Sequence, residues 1–335
     1  MEKYIGLDAH SSTCRFCVTD ERGREIDEAE VATNGRLLVS YVKSIEGKKK
    51  LTFEESEISR WLYGLLNDKV DELIVCNPVH NRQYKKAKTD KLDAMNLCKL
   101  LRGGFLTSVY HDGSEREKLR SLVSSYQDLV EEAVRLKNRY KSLFRKSGQK
   151  VESQRLYSDE SFLEGLQRPD EKFIGSQLYA MLDQLEESRN LYAEQIHKAA
   201  KSFKEMKFLK TIPGIGEIQA AKIVSQVVDP KRFPNKYKYF SYCGLVRHPK
   251  ESGGKSYGTI KIMGNRTLKT VYKMAGRMAL RGTSGLRKLY DHLRAKGVSD
   301  SNAYNAVCRK IAAVSLSLWR HQRKYNDQII TGGLA

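Results

Sequence analysis

The chain has 335 residues and carries 60 Lys+Arg against 40 Asp+Glu, a net charge of +20. A surplus of that size points to a polyanion binder, with nucleic acid first and an acidic membrane surface second. No stretch nears the roughly 20 apolar residues of a membrane-spanning helix, and the start "MEKYIGLDAH" lacks a signal-peptide layout. A cytoplasmic protein of two or three domains is therefore expected.

In chain order, "KYIGLD" (3–8) is a short apolar run and "TCRFCVTD" (13–20) alternates. "DERG" is a turn into a third strand near 24–32. "LLVSYVKSI" (37–45) has helical spacing, and "KLTFEE" (50–55) and "ELIVCNP" (72–78) read as buried strands with the helix "SRWLYGLL" between them. A helix near 90–102 closes the segment. Three meandering strands followed by strand–helix alternation predict a ribonuclease-H-like α/β domain over residues 1–112. Cys14 and Cys17 form a C-x-x-C, but no second ligand pair follows, so no zinc site is expected. The six cysteines read as free thiols of a reducing compartment.

Acidic residues sit where these strands stop. Asp8 ends "YIGLD", and Glu54 ends "KLTFE" with Glu55 adjacent. Asp90 and Asp93, in "KTDKLDA", are three apart and share a helix face. If strands one and four are neighbours, Asp8 and Glu54 enter one crevice. Crowded hard oxygen ligands of this kind suit two Mg²⁺ ions and phosphodiester chemistry. Taken singly, each acid is also explained as a helix cap, a first-turn acid or a strand-end turn residue.

From Leu119, apolar or aromatic residues recur at Leu122, Tyr126, Leu129, Ala133, Leu136, Tyr140 and Leu143, a coiled-coil seam. A second seam runs through Leu178, Leu182, Leu185, Tyr192, Ile196, Ala199, Phe203 and Met206. Residues 113–206 are thus expected to form a coiled-coil linker, either one antiparallel hairpin or a zipper between protomers. Residues 207–325 then form a mainly helical domain with a tail at 326–335. It opens on "LKTIPGIGEIQAAKIVSQV", read as a helix-hairpin-helix in which Gly214 and Gly216 bring backbone amides to a DNA phosphate, with Lys222 nearby.

"RHPKESGGKSYG" (247–258) fails as a nucleotide loop, because Pro249 stands where the first glycine is required. What remains is a flexible basic loop. In it Ser252 precedes two glycines among Arg247, His248, Lys250, Lys255 and Lys261, cations suited to developing phosphate charge. By chemistry alone, an ordinary turn serine accounts for the same residues.

"YIGLDAH", the acid in "FEES", "KTDKLDA" before "LCKLLRGG", "IPGIGEIQAAKIV", "RFPNKYKYFSYCGLV" and "ESGGKSYGTIKIMGN" follow in this order. As a set, covering residues 3–320, they resemble the DEDD transposases and invertases that include the Piv invertase and bridge-RNA-guided insertion-sequence recombinases. The resemblance implies a RuvC-like first domain, a coiled-coil linker and a carboxy-terminal domain with a nucleophilic serine. It further implies Mg²⁺ (or Mn²⁺) on Asp8, Glu54, Asp90 and Asp93, and Ser252 as nucleophile with Ser256 and Ser241 in reserve. Partners implied are donor and target DNA, a structured guide RNA, and further copies of the chain in a dimer or tetramer. Many relatives have Glu-Ala-Thr/Ser-Gly where this chain has "EESE", which leaves Glu55 as the alternative to Glu54. Two other functions fit the same residues: a junction resolvase without serine chemistry, and a non-catalytic nucleic-acid binder.

Overall fold

The computed structural model describes residues 1–78, 90–111, 115–150, 154–261 and 264–331, in two compact units, Met1–Ser114 and Glu115–Ala335. In the first, β1 (Glu2–Ala9), β2 (Thr13–Thr19) and β3 (Glu25–Ala32) form the antiparallel meander. Then come α1 (Gly35–Ser44), β4 (Lys48–Glu54), α2 (Ser59–Leu66), β5 (Glu72–Cys76), α3 (Asp90–Arg102) and a two-residue strand, β6 (Ser108–Val109). The sheet order is β3-β2-β1-β4-β5-β6, with β1–β4 and β4–β5 parallel. This mixed α/β sheet is compatible with the expected ribonuclease-H-like fold.

Strand parity divides the residues of the central strands between two faces. Ile5 and Leu7 of β1, Leu51 and Phe53 of β4 and Val75 of β5 pack with Leu38, Val42, Leu62 and Leu66 of α1 and α2. Burying each such side chain contributes roughly 1.5–3 kcal/mol. The opposite face carries α3. There the Gly6 amide donates to Cys98 Sγ at 3.0 Å, and the Cys98 thiol lies 3.0 Å from the Cys17 carbonyl and 3.3 Å from that of Tyr4. Hydrogen bonding with Cys17 and burial push the Cys98 thiol far above its ordinary pKa, so it remains a neutral donor.

Gly6 is required by this close approach. A Cβ there would lie 2.1 Å from the Ala94 carbonyl oxygen and 2.9 Å from the Cys98 amide, both backbone. Gly6→Ala is therefore expected to push α3 off the sheet and destabilise the first unit by about 3 kcal/mol. Urea unfolding would show this as a lower midpoint.

The second unit opens with two 32-residue helices, α4 (Glu115–Lys146) and α5 (Pro169–Ala200). They pair antiparallel within the chain. At one end Leu119 and Val123 share a core with Ile196 and Ala200, and at the other Leu136, Tyr140 and Phe144 pack with Leu166 and Leu182. Both seams are thus used, although Val123, Phe144 and Ala200 are buried where the heptad reading selected Leu122, Leu143 and Ala199. The base of the pair is continuous with the core of the helices that follow.

Those are α6 (Met206–Leu209), α7 (Glu217–Val227), α8 (Lys236–Tyr242), α9 (Arg266–Ala279), α10 (Gly285–Ala295), α11 (Asp300–His321) and α12 (Gln328–Thr331). Between α8 and α9, β7 (Arg247–Ser252) and β8 (Lys255–Lys261) form an antiparallel ribbon. The expected flexible loop is therefore corrected to a β-hairpin. Gly253 (φ +56°) and Gly254 (φ +73°) take the two left-handed positions that a type I′ turn demands.

The six cysteines are buried and none of them is in a disulfide. Among the described residues no helix is long and apolar enough to cross a membrane.

Candidate functional site

The parallel pairing places Leu7 beside Phe53, so Asp8 and Glu54 are the next neighbours at the carboxyl ends of β1 and β4. Both lie opposite in parity to Leu7 and Phe53, and so on the face that carries α3. Cys98 bonds Tyr4 and Gly6, while Ala94 sits over Gly6, so α3 runs antiparallel to β1. Its first turn, with Asp90 and Asp93, is directed toward the Asp8 end. The Asp90 side chain lies outside the described residues. Glu55 leaves the strand: its carboxylate lies 2.6 Å from Nε2 of the buried His111, whose ring packs against Tyr63. Strand parity and this pairing separate Glu54 from Glu55 in a way their adjacency in sequence did not.

Asp8 and Glu54 are each half-buried, and Asp8 lies 3.3 Å from His10 Nε2. Carboxylate oxygens are the donors Mg²⁺ or Mn²⁺ prefers, and in this respect the residues fit the implied metal. Among the described residues, however, no three His, Cys, Asp or Glu already converge closely enough to hold an ion.

Ser252 ends β7 at the tip of the ribbon, where every described residue from Arg247 to Ile260 is exposed. Residues paired directly across a ribbon project from the same face. Ser252 is paired with Lys255, and Ser256 with Glu251. The two serines thus occupy opposite faces, one beside an ammonium and the other beside a carboxylate. A phosphodiester at Ser252 therefore has an ammonium-bearing residue directly across the ribbon, whereas one at Ser256 has a carboxylate there. The bulge between Pro249 and Glu251 falls at Lys250, and the side chain of Lys261 lies outside the described residues.

The turn expected to grip phosphate also packs closely within its own domain. Gly214 has φ +85°, and a Cβ there would lie 2.4 Å from the Ala275 carbonyl oxygen of α9. Its close approach is thus to its own domain. Gly216 is exposed and precedes α7 without a side-chain cap, but Glu217 in the first turn holds His197 at 2.8 Å and Lys210 at 3.5 Å. The Lys222 ammonium donates to Gln127 Oε1 and lies over the Tyr126 ring. Burial lowers its pKa.

Two groups were missed by sequence reasoning. One is the Glu55–His111 pair. The other is a cavity of about 440 Å³ at the root of the ribbon, lined by Arg247, Lys269, Lys273, Asn302, Asn305 and Arg309 among others. The spacings 269/273 on α9 and 302/305/309 on α11 were the available signals, each indistinguishable from an ordinary solvated helix face.

A family model described as a DEDD transposase of IS110 type matches residues 5–149, and one described as "Transposase IS116/IS110/IS902 family" matches residues 206–291. The chain is 23% identical over 287 residues to the "Transposase for insertion sequence element IS1111A" of Coxiella burnetii, covering 83% of this chain and 78% of the other. It is 26% identical over 156 residues to an IS110 insertion-element protein of 43.6 kDa from Streptomyces coelicolor, covering 46% of this chain and 38% of that one.

Proposed function

Because the chain belongs to the IS110-type DEDD transposases and is a DNA transposase/recombinase, we propose that it cleaves and rejoins DNA with Ser252 as nucleophile and the Asp8, Glu54, Asp90 and Asp93 carboxylates as metal ligands. The observation that carries this reading is the ribbon register, which sets Ser252 beside Lys255 and Ser256 beside Glu251. The adjacent ends of β1 and β4 support the carboxylate half. A divalent cation bound by these acids supplies Lewis-acid charge that activates the attacking oxygen and stabilises the leaving one.

The chain's own residues do the rest. Ser252 Oγ forms a bond to phosphorus as one bond from phosphorus to a deoxyribose oxygen breaks. The serine proton passes to a base, and the leaving oxygen ends as a hydroxyl. Lys255 stabilises the charge that gathers on the phosphoryl oxygens. The product is a phosphoserine link that conserves the phosphodiester energy for rejoining to a second strand, through a Holliday-junction-like intermediate. Base pairing in a structured guide RNA supplies the sequence specificity that an exposed basic ribbon lacks.

In this reading the acids and Ser252 meet in a composite site across protomers of a dimer or tetramer. Mixing Asp8→Asn with Ser252→Ala protein tests that arrangement. Each variant alone is expected to form no covalent DNA adduct, whereas random mixed dimers with two-fold symmetry restore about a quarter of the sites. Adduct yield on a denaturing gel is the measurement, and no recovery in the mixture would place both halves of the site in one protomer.

A further inference from the structure

The cavity at the root of the ribbon is a separate place from Ser252 at its tip, and the charged residues described in its lining are all cationic. Arg247 comes from the start of β7, Lys269 and Lys273 from successive turns of α9, and Arg309 from α11. No Asp or Glu is among its described lining residues. Lys269, Lys273 and Arg309 are half-buried, so their charges are less screened than those of an exposed lysine. Lys273 is already positioned: its ammonium donates to Asn305 Oδ1 and lies 4.8 Å from the centre of the Tyr304 ring, while the Tyr304 hydroxyl donates back to the Lys273 carbonyl. The wall nearest the ribbon is made by Gly244, Leu245 and Val246, which adds an apolar surface to the polar one.

Size and shape choose between ligands. A lone phosphate needs far less than about 440 Å³, and volumes of roughly 300–1,000 Å³ hold whole small molecules. A base-paired duplex meets a protein through its grooves and backbone, and its stacked nucleotides cannot enter a concave site without being extruded. A single unpaired nucleotide presents an anion, a polar base edge and an apolar face together, the three features this lining matches. Asn side chains offer both donor and acceptor to a base edge.

We infer that this cavity binds one unpaired nucleotide of a nucleic-acid strand, its phosphate on Lys269, Lys273 and Arg309 and its base against Asn302 and Asn305. The choice of ligand rests on the reading of the chain as a nucleic-acid enzyme, but binding requires neither serine nor metal chemistry. The strand is DNA or RNA, and the probes below distinguish them.

The test is fluorescence anisotropy of the full chain, without divalent metal, using labelled hexathymidylate and hexauridylate. The double variant Lys269→Gln/Arg309→Gln is expected to weaken binding of at least one probe about tenfold. It should also reduce the slope of log affinity against log salt by up to about 0.7, the share of the one single-strand phosphate these cations hold. Tighter hexathymidylate binding identifies a DNA strand and tighter hexauridylate binding an RNA strand; either supports the site. Lys146→Gln/Lys288→Gln, an equal charge change at exposed positions, is expected to stay within about twofold. Asn305→Asp keeps an acceptor for Lys273 while adding a carboxylate, and should weaken binding with an unchanged circular dichroism spectrum. Equal losses in the cavity and control pairs, unchanged affinity in both cavity variants, or an equal cavity-dependent loss with a 12-base-pair duplex would overturn the inference. Because hexamer binding does not pass through Ser252 or the acids, failure here leaves the cleavage chemistry standing, and the reverse also holds.

Discussion

Ser252→Ala is expected to abolish the covalent protein–DNA adduct and to reduce strand exchange by at least about 10³-fold, since removing a nucleophile eliminates the step itself. Ser256→Ala should stay within a few-fold of the wild type. The reason lies in the ribbon register: Ser252 opposes Lys255, whereas Ser256 opposes Glu251. Both serines are exposed, so neither substitution leaves a cavity or an unpaired buried group, and equal thermal stability is expected for the two variants. A suicide substrate nicked beside the cleavage position would trap the adduct for a denaturing gel. Retained strand exchange in Ser252→Ala would instead favour a resolvase-like enzyme in which metal activates water.

The second large effect concerns the carboxylates. Asp8→Asn and Glu54→Gln are each expected to lower Mg²⁺-dependent cleavage by at least about 10³-fold, the several kcal/mol of charge stabilisation that a bound divalent ion supplies. DNA affinity should hold or rise, because each change removes one negative charge. Glu55→Gln is the discriminating control. Its carboxylate contacts the buried His111, so its loss should cost about 1–2 kcal/mol in unfolding free energy and less than about tenfold in cleavage. Cleavage rates at several Mg²⁺ concentrations, beside denaturant curves, separate the two outcomes. If Glu55→Gln is the inactive variant and Glu54→Gln the active one, the assignment by strand parity is wrong.

Much of this protein was legible locally. Alternation and 3.6-residue spacing located β1 to β5 and α1 to α3 to within a few residues, because a period depends only on neighbouring residues. β6 was not visible, since two residues carry no period. The two long seams were legible too, but a seam records only that an apolar stripe must be covered. That α4 pairs with α5 of its own chain, with Leu119 and Val123 beside Ile196 and Ala200, depends on the connection between them.

The site divides along the same line. Sequence by itself determined the inventory: the net charge, the acids at strand ends, a serine before two glycines, and their order along the chain. Tertiary structure decided how these residues are used. Pairing of β1 with β4 set Asp8 and Glu54 on the α3 face and left Glu55 to His111. Pairing of β7 with β8 turned a supposed loop into a ribbon with its serines on opposite faces. Packing set Gly214 against α9 and turned Lys222 toward Gln127 of α4, contacts that the motif by itself did not reveal. The physical reason is that a residue's type and spacing are local properties. The face it projects from, the charge opposite it and its share of water are set by register and packing between segments distant in sequence.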